Sequence, residues 1–479
     1  MTRKSQPITR HVVSINDLAN KEIESIFEIA DSYLKDLGDQ KCEHRIGQST
    51  DIGSKFILAS LFYEPSTRTR LSFESAMLRL GGEVITSDDP AVSSAKKGES
   101  LADTIRVIGN YADIIVIRHP RDGAARLAAE YSSIPIINGG DGSHEHPTQT
   151  LCDLFTLKKR HKRLENLKVA ISGDLKGSRT IHSFVYALAR FGAIIDPMPA
   201  SGMELPAHVD RRLREEFQSK IVSKHTKGAD DASIDVLYIT SDKPHQQSLF
   251  SGPEIDYGLV VEKKVDAVYV TRFQKERWAE EEKPYLKIDA AFMKDAKYSD
   301  ASVMHPLPRV GELDAAFDSD RRAVYFQQAA YGVPIRMALI TMLLSLKKGK
   351  SLQRFNDGFV RPDHLIYRQS VGTGIRCIND NCISRDPSEQ QYAANKFYIV
   401  HDQTSHQRKL RCVYCETDIQ ESAAPSAVVA DQVRRHYTRG FGQLAHFSPE
   451  KIKHLIIYEN DSAAEREGFH LKGAVARAS

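Results

Sequence analysis

The chain of 479 residues is short of several things, and each shortage excludes a class of function. No apolar run approaches the ~20 residues of a membrane-spanning helix, and Met1-Thr2-Arg3-Lys4 leads into no signal-peptide core. The formal charge is only +3, too small to imply a nucleic-acid or membrane-surface partner. The six cysteines are spread unevenly and no export signal accompanies them, so the chain reads as cytoplasmic and reducing. The chemistry-bearing loops also lack paired carboxylates to serve as a general acid and base. At 41% hydrophobic, the length suits roughly three domains with substantial cores.

The most telling run present is Pro65-Ser66-Thr67-Arg68-Thr69-Arg70. It follows Phe56 to Phe62, a short apolar stretch bounded like a buried strand, and precedes Leu71, Phe73, Met77, Leu78 and Leu80 at helical spacing. Ser66 is thereby placed as the N-cap of a strand-to-helix turn. The first turn of a helix offers free N–H groups and a positive dipole end to an anion. The hydroxyls of Ser66, Thr67 and Thr69 and the guanidiniums of Arg68 and Arg70 add donors at the same point, which describes a phosphate pocket.

The same arrangement of apolar strand and polar loop recurs. Ile134 to Ile137 runs into Asn138-Gly139-Gly140-Asp141-Gly142, then His144, His146 and Gln149, before an apolar helix from Leu151. Asp113 to Ile117 ends in Arg118-His119-Pro120, and Leu167 to Ile171 ends in Gly173-Asp174 and Arg179. Asp235 to Ile239 ends in Thr240-Ser241-Asp242, Asp266 to Val270 in Thr271-Arg272-Phe273-Gln274, and Ser302 to Met304 in His305-Pro306-Leu307-Pro308-Arg309. Ligands of open parallel sheets bind beyond the carboxyl ends of the strands. Converging guanidiniums without a carboxylate pair suit a phosphorylated, carboxylate-bearing substrate pair and a transition state that develops negative charge.

Together these motifs resemble, in order and spacing, those of the aspartate and ornithine carbamoyltransferases, over about residues 8–345. Thr271 to Arg277, Gly173-Asp174-Leu175-Lys176 and Pro306 after His305 are similar to the aspartate branch. The resemblance implies an α/β fold of two doubly wound parallel-sheet lobes with the active site between them. It implies phosphate binding by Ser66, Thr67, Arg68 and Thr69, with Arg118 and His146 polarising the carbamoyl carbonyl and Thr69 sharing that contact. Gln149 and the carbonyls of Leu307 and Pro308 would hold the carbamoyl NH2, and Arg179, Arg272 and Gln274 the carboxylates of aspartate. Ser93 and Lys97 match a loop that enters a neighbouring subunit's site, which implies a homotrimer or a larger assembly of trimers. Arg277 and Arg309 rank below these as candidates for domain-closing salt bridges.

Four of the cysteines form a second site. Cys377-x4-Cys382 and Cys412-x2-Cys415 are two short-range pairs separated by 29 residues, the spacing of a closed structural zinc site with one ion per chain. This region resembles the zinc domain of the separate regulatory chain of some aspartate carbamoyltransferases, here fused to the catalytic part. About 30 residues separate Leu346 from Cys377, too few for the nucleotide-binding domain that precedes the zinc domain in those chains. Cys152 reads instead as a small core residue.

The expected domains are a carbamoyl-phosphate lobe over 8–147, completed by a terminal helix over 325–346, and an aspartate lobe over 148–320. A linker and zinc module over 347–420 follow, then a tail over 421–479 with no assigned role. In that tail Ser448-Pro449-Glu450 followed by Ile452, Leu455 and Ile456 predicts a short capped helix. Two other functions remain open. One is a carbamoyltransferase for another amine such as ornithine. The other is a zinc-ribbon nucleic-acid regulator, disfavoured because residues 347–420 hold 12 Lys/Arg against 8 Asp/Glu.

Overall fold

A computed structural model describes residues 9–37, 51–87, 98–199, 202–221, 234–240, 264–272, 287–347, 352, 365–368, 376–393, 395–401, 408–420, 426–440 and 454–472. Three sheets organise them. The first holds β1 (Ile57–Phe62), β2 (Glu83–Ser87), β3 (Ile114–His119) and β4 (Ile136–Asp141), all parallel in the order β2-β1-β3-β4. The second holds β5 (Lys168–Gly173), β6 (Ile194–Pro199), β7 (Val236–Ile239), β8 (Ala267–Val270) and β9 (Ser302–Met304), parallel in the order β6-β5-β7-β8-β9. Both orders reverse direction at the strand that opens the sheet, which places a crevice at the carboxyl edge.

The helices are α1 (Asn20–Leu37), α2 (Thr67–Arg79), α3 (Leu101–Ile108), α4 (Ala124–Tyr131), α5 (Pro147–His161), α6 (Arg179–Arg190), α7 (Ala207–Arg211), α8 (Tyr325–Leu343) and α9 (Asp461–Arg466). One continuous core runs from Leu58 and Phe73 of the first lobe through Leu154 and Phe155 of α5 to Val169 and Ile171 of the second. Helix α8 is buried along most of its length, and it packs against α1, α2 and α5. The hydroxyls of Tyr33 and Thr341 meet at 2.8 Å across that packing. The two lobes are therefore joined through apolar helices, and their sheet edges are left free to face each other.

The third sheet corrects the expectation for the tail. Its order is β13-β12-β11-β10-β16-β14-β15-β17. Strands β10 (Leu365–Arg368), β11 (Lys396–His401), β12 (Arg408–Cys412) and β13 (Asp418–Gln420) come from the four-cysteine region. Strands β14 (Val428–Asp431), β15 (His436–Arg439), β16 (Leu455–Tyr458) and β17 (His470–Leu471) come from beyond it. The tail therefore completes the sheet of the four-cysteine module, with β16 hydrogen-bonded between β10 and β14.

Leu455 and Ile456, expected in a helix, lie in β16. The run Leu455-Ile456-Ile457-Tyr458 is buried on both faces: Leu455 and Ile457 join the core beneath the module, while Ile456 and Tyr458 join a second cluster with Phe469. A two-sided apolar environment suits a β-branched run as a central strand. Ser448, Pro449, Glu450 and Ile452, the start of that expected helix, lie outside the described residues; the described helix of the tail is α9, where the Asn460 side chain accepts from the Ala463 N–H.

A chain ending at residue 420 should lose Val429, Leu455 and Ile457 from the core, on the order of 5 kcal/mol of apolar burial. It should release its metal to a chelator much faster than the full chain. Equal release rates would show that the tail does not support the module.

Candidate active site and metal centre

A cavity of about 1510 Å³ opens where the carboxyl edges of the first two sheets face each other. Ser66, Thr67, Arg68, Thr69, Arg118, His146, Gln149, Arg179, Arg272, Leu307 and Pro308 all line it. Ser93, Lys97, Gln274 and Arg277 lie outside the described residues. Arg309 forms a carboxylate pair with Asp318.

Ser66 occupies the N-cap of α2 as its place in the sequence predicts, yet its hydroxyl makes no capping bond. Its oxygen and the first N–H groups of the helix remain free to serve a ligand. Arg68 donates to the Leu307 carbonyl at 2.6 Å, spanning from the first lobe to the second. Burial, then the neighbouring Arg272, lowers the Arg68 pKa. Burial and then Arg179 lower that of Arg118 to about 10. Guanidiniums that depress one another in this way form a cavity in want of anions.

Glu64, just ahead of the motif, was not singled out from the sequence. Its carboxylate bridges Arg118 at 3.0 Å and Arg179 at 3.1 and 3.2 Å. Burial alone would raise the Glu64 carboxyl; Arg179 and then Arg118 offset this and hold it below its usual range. Arg336, a single cation in the apolar α8, also lines the cavity and was likewise missed. Its departure from the run of apolar residues around it was the available signal.

His146 is the N-cap of α5, and its side chain accepts from the Gln149 N–H. Burial, then Arg118, Arg179 and Arg336, pushes its pKa well below 6.5, so the imidazole is neutral. With Nδ1 accepting, the proton sits on Nε2, which makes His146 a hydrogen-bond donor without charge. Gly140, at φ 113°, permits this packing: a Cβ there would lie 3.2 Å from His146 Cδ2 and 3.3 Å from Arg118 Nη1.

The four cysteines form one buried cluster whose sulfurs all lie within 4.8 Å of one another. Cys377 Sγ and Cys415 Sγ are 3.3 Å apart, and Cys382 Sγ and Cys412 Sγ 3.8 Å. These separations exceed a disulfide bond and approach the ~3.8 Å edge of a sulfur tetrahedron around a metal at ~2.3 Å. The cluster fits a metal ion held by four thiolates.

The metal module docks on both lobes. On the first, Asp122 accepts from Asn379 at 2.8 Å and Asn381 at 3.0 Å, and from the Ser143 N–H of the cavity loop at 2.7 Å. Lys396 and the Tyr414 hydroxyl meet Glu130, and Glu389 accepts from the N–H of Leu101 in α3. On the second lobe, Glu416, the residue after Cys415, pairs with Arg212, while Arg411 meets Glu216 at 2.7 Å. His144 of the cavity loop lies between Asp141 at 3.1 Å and Glu416 at 3.9 Å. Despite burial, those carboxylates hold its pKa well above 6.5.

At Gly123 the backbone of the first lobe lies close against the module. At φ 83° this glycine would place a Cβ 2.5 Å from the Tyr414 backbone. Gly123→Ala should loosen docking by about 2 kcal/mol or more, from overlap and left-handed strain together. Gly98→Ala, at φ 90° with nothing within 4 Å, is the strain-only control. Faster hydrogen exchange in residues 408–420 of Gly123→Ala, and not of Gly98→Ala, is the expected result.

Comparison with known proteins places these features together. Residues 10–159 match the carbamoyl-P binding domain of aspartate/ornithine carbamoyltransferase, and residues 256–343 its Asp/Orn binding domain. Residues 369–424 match the metal binding domain of the aspartate carbamoyltransferase regulatory chain. The aspartate carbamoyltransferase catalytic subunit of Methanocaldococcus jannaschii is 41% identical over 344 residues, 71% of this chain and 100% of the relative. That of Clostridium kluyveri is 42% identical over 348 residues, covering 71% and 99%. Among solved structures, the M. jannaschii catalytic subunit aligns with a TM-score of 0.55 at 40% identity, over 71% of this chain and 100% of that one. Aspartate transcarbamoylase of Trypanosoma cruzi, in complex with carbamoyl phosphate and aspartate, aligns with a TM-score of 0.55 at 31% identity, over 70% and 96%.

Proposed function

The chain belongs to the aspartate/ornithine carbamoyltransferase family and is an aspartate carbamoyltransferase with a fused regulatory-chain-type metal domain, and on that premise we propose how its residues divide the reaction. The substrates are carbamoyl phosphate and L-aspartate, as in the T. cruzi complex. The carrying observation is the convergence of Arg68, Arg118 and Arg179 on one cavity with a neutral His146.

Ser66, Thr67, Arg68 and Thr69 hold the phosphate through side chains and the first N–H groups of α2. Lys97 and Ser93 reach the same phosphate from a neighbouring subunit. Arg118, Thr69 and the Nε2–H of His146 face the carbamoyl oxygen. Gln149 and the carbonyls of Leu307 and Pro308 accept from the carbamoyl NH2. Arg179, Arg272 and Gln274 receive the two carboxylates of aspartate, and Lys97 contributes to that side as well.

In the reaction the α-amino group forms a bond to the carbamoyl carbon, and the carbon–oxygen bond to phosphate breaks after a tetrahedral intermediate. The oxyanion that develops is met by Arg118, His146 and Thr69, and each such donor contributes about 3–4 kcal/mol in comparable sites. The departing phosphate takes the amine proton, so orientation and electrostatics are the contribution of the protein. The products are N-carbamoyl-L-aspartate and phosphate, a step of pyrimidine synthesis. Cys377, Cys382, Cys412 and Cys415 hold one zinc ion with no open coordination position, a structural role. The chain works as a homotrimer or a larger assembly of trimers, in the cytoplasm.

Two measurements test this division. Arg272→Ala should raise the aspartate KM by about thirtyfold or more, the loss of one charge-assisted contact, with carbamoyl-phosphate affinity nearly unchanged. The reverse outcome would exchange the roles of the lobes. Lys97→Ala and Arg68→Ala chains should each be nearly inactive, yet regain activity when their subunits are exchanged, because some sites then draw every residue from intact copies. No recovery after verified exchange would place Lys97 in its own subunit's site.

A further inference from the structure

Asp153 is a buried acid to which the reaction as described gives no part. It lies one turn after Gln149 on α5 and is 1% exposed. Three donors from three elements converge on it. Gln149 Nε2 and Gln328 Nε2, from α8, approach Oδ1 at 2.8 and 2.7 Å, and the Tyr269 hydroxyl, from β8, approaches Oδ2 at 3.0 Å. Burial pushes its pKa up to about 7, and the hydrogen bonds from Gln149, Gln328 and Tyr269 work against that rise.

Both amides meet Oδ1, which accepts whether the group is ionised or carries its proton on Oδ2 toward the Tyr269 hydroxyl, so both turn their NH2 groups toward it. The orientation of Gln328 has an independent check. Its Oε1 accepts from the His305 N–H at 2.9 Å, and a backbone N–H can only donate. Gln149 lacks such a second anchor among the described residues and lines the cavity. With its Nε2 committed to Asp153, Oε1 is the end left for a ligand. An amide turned the other way occupies almost the same volume, so shape alone does not choose between the two orientations.

We propose that Asp153 is a positioning residue that fixes which end of the Gln149 amide meets the substrate, and thereby makes the site choose a carbamoyl over an acetyl group. A carbamoyl group presents an NH2 donor where an acetyl group presents a methyl. An amide oxygen discriminates between them, because the methyl leaves it without a partner. An inverted Gln149 sets one NH2 against another and loses the distinction. The inference rests on the reading of Gln149 as the contact of the carbamoyl NH2.

The test is the ratio of two affinities, for carbamoyl phosphate and for acetyl phosphate as a competitive inhibitor. Asp153→Leu and Asp153→Ala remove the acceptor and should lower that ratio about tenfold. A loss of packing alone would weaken both ligands together and leave the ratio unchanged. Asp153→Asn should keep the ratio within about threefold of the parent: its Oδ1 replaces the shared oxygen, and its Nδ2 turns to the Tyr269 hydroxyl, which can accept. If the apolar variants do not fold, the Asn arm still decides, since a collapsed ratio there overturns the proposal. An unchanged ratio in folded Asp153→Leu or Asp153→Ala overturns it too, provided Gln149→Ala collapses the ratio. Should Gln149→Ala itself leave the ratio intact, the role given to Gln149 fails instead.

Discussion

The mutual repulsion of guanidiniums gathered on one cavity constrains the rest of this structure. Arg68, Arg118, Arg179, Arg272 and Arg336 line one cavity. Like charges so placed are costly unless counter-charges or substrate anions join them. Glu64 supplies one carboxylate to two of them, Arg118 and Arg179. The scaffold bears the remaining cost through rigidity. Arg118 leaves the buried β3, Arg179 begins α6, and Arg336 is set in α8 among apolar neighbours. Side chains anchored on packed elements cannot swing apart to relieve the repulsion, so the field is in place before the anions arrive.

Much of this could be read from the sequence because parallel strands buried on both faces are continuous apolar runs. The strands found at β1, β3, β4, β5, β7, β8 and β9 each followed such a run, and the loops beyond them carried the lining residues. Two strands of the first two sheets escaped notice for opposite reasons. In β2, Glu83–Ser87, most side chains are exposed and no apolar run exists. Strand β6 carries Pro197 and Pro199, tolerated only because it lies at the sheet edge. The tail misled for a third reason. Leu455 to Tyr458 fits a helix or a strand equally by periodicity, and only the two cores on either side of it decide. Asp153 and Gln328 were illegible because their meaning is a contact across 175 residues.

The fused metal module shows how partly exposed ion pairs can add to a shared core when the chain is continuous. Its cysteines share a core with Ala59, Leu61, Ile115 and Leu127 of the first lobe, so that face of its sheet has no interior of its own, while the opposite face packs on its own cluster around Ile456, Tyr458 and Phe469. Its polar contacts to the lobes include Arg121–Asp386 and Lys396–Glu130, of the partly exposed kind that contribute about 1 kcal/mol or less each. A separate chain would have to overcome several kcal/mol of association entropy before such pairs held it. A tethered one meets its site at an effective concentration on the order of millimolar. Covalent connection thus allows an interface rich in single ion pairs to stay closed.

That interface also ends at the chemistry. Glu416 follows the metal-binding Cys415 directly, in a left-handed conformation at φ 59°, and pairs with Arg212 of the second lobe. Asp122 ties Asn379 and Asn381 of the metal loop to Ser143, three residues before His146. A thiolate-bound metal fixes both of its loops at once, because Cys377 and Cys382 belong to one and Cys412 and Cys415 to the other. Ordering those loops orders the residues they touch, and these lie on both lobes. The cavity loop from Gly140 to His146 is therefore braced from behind by the metal module and from within by the packing of Gly140 against His146 and Arg118. A cavity that acts through fixed dipoles depends on their direction, and a loop held on two sides keeps that direction.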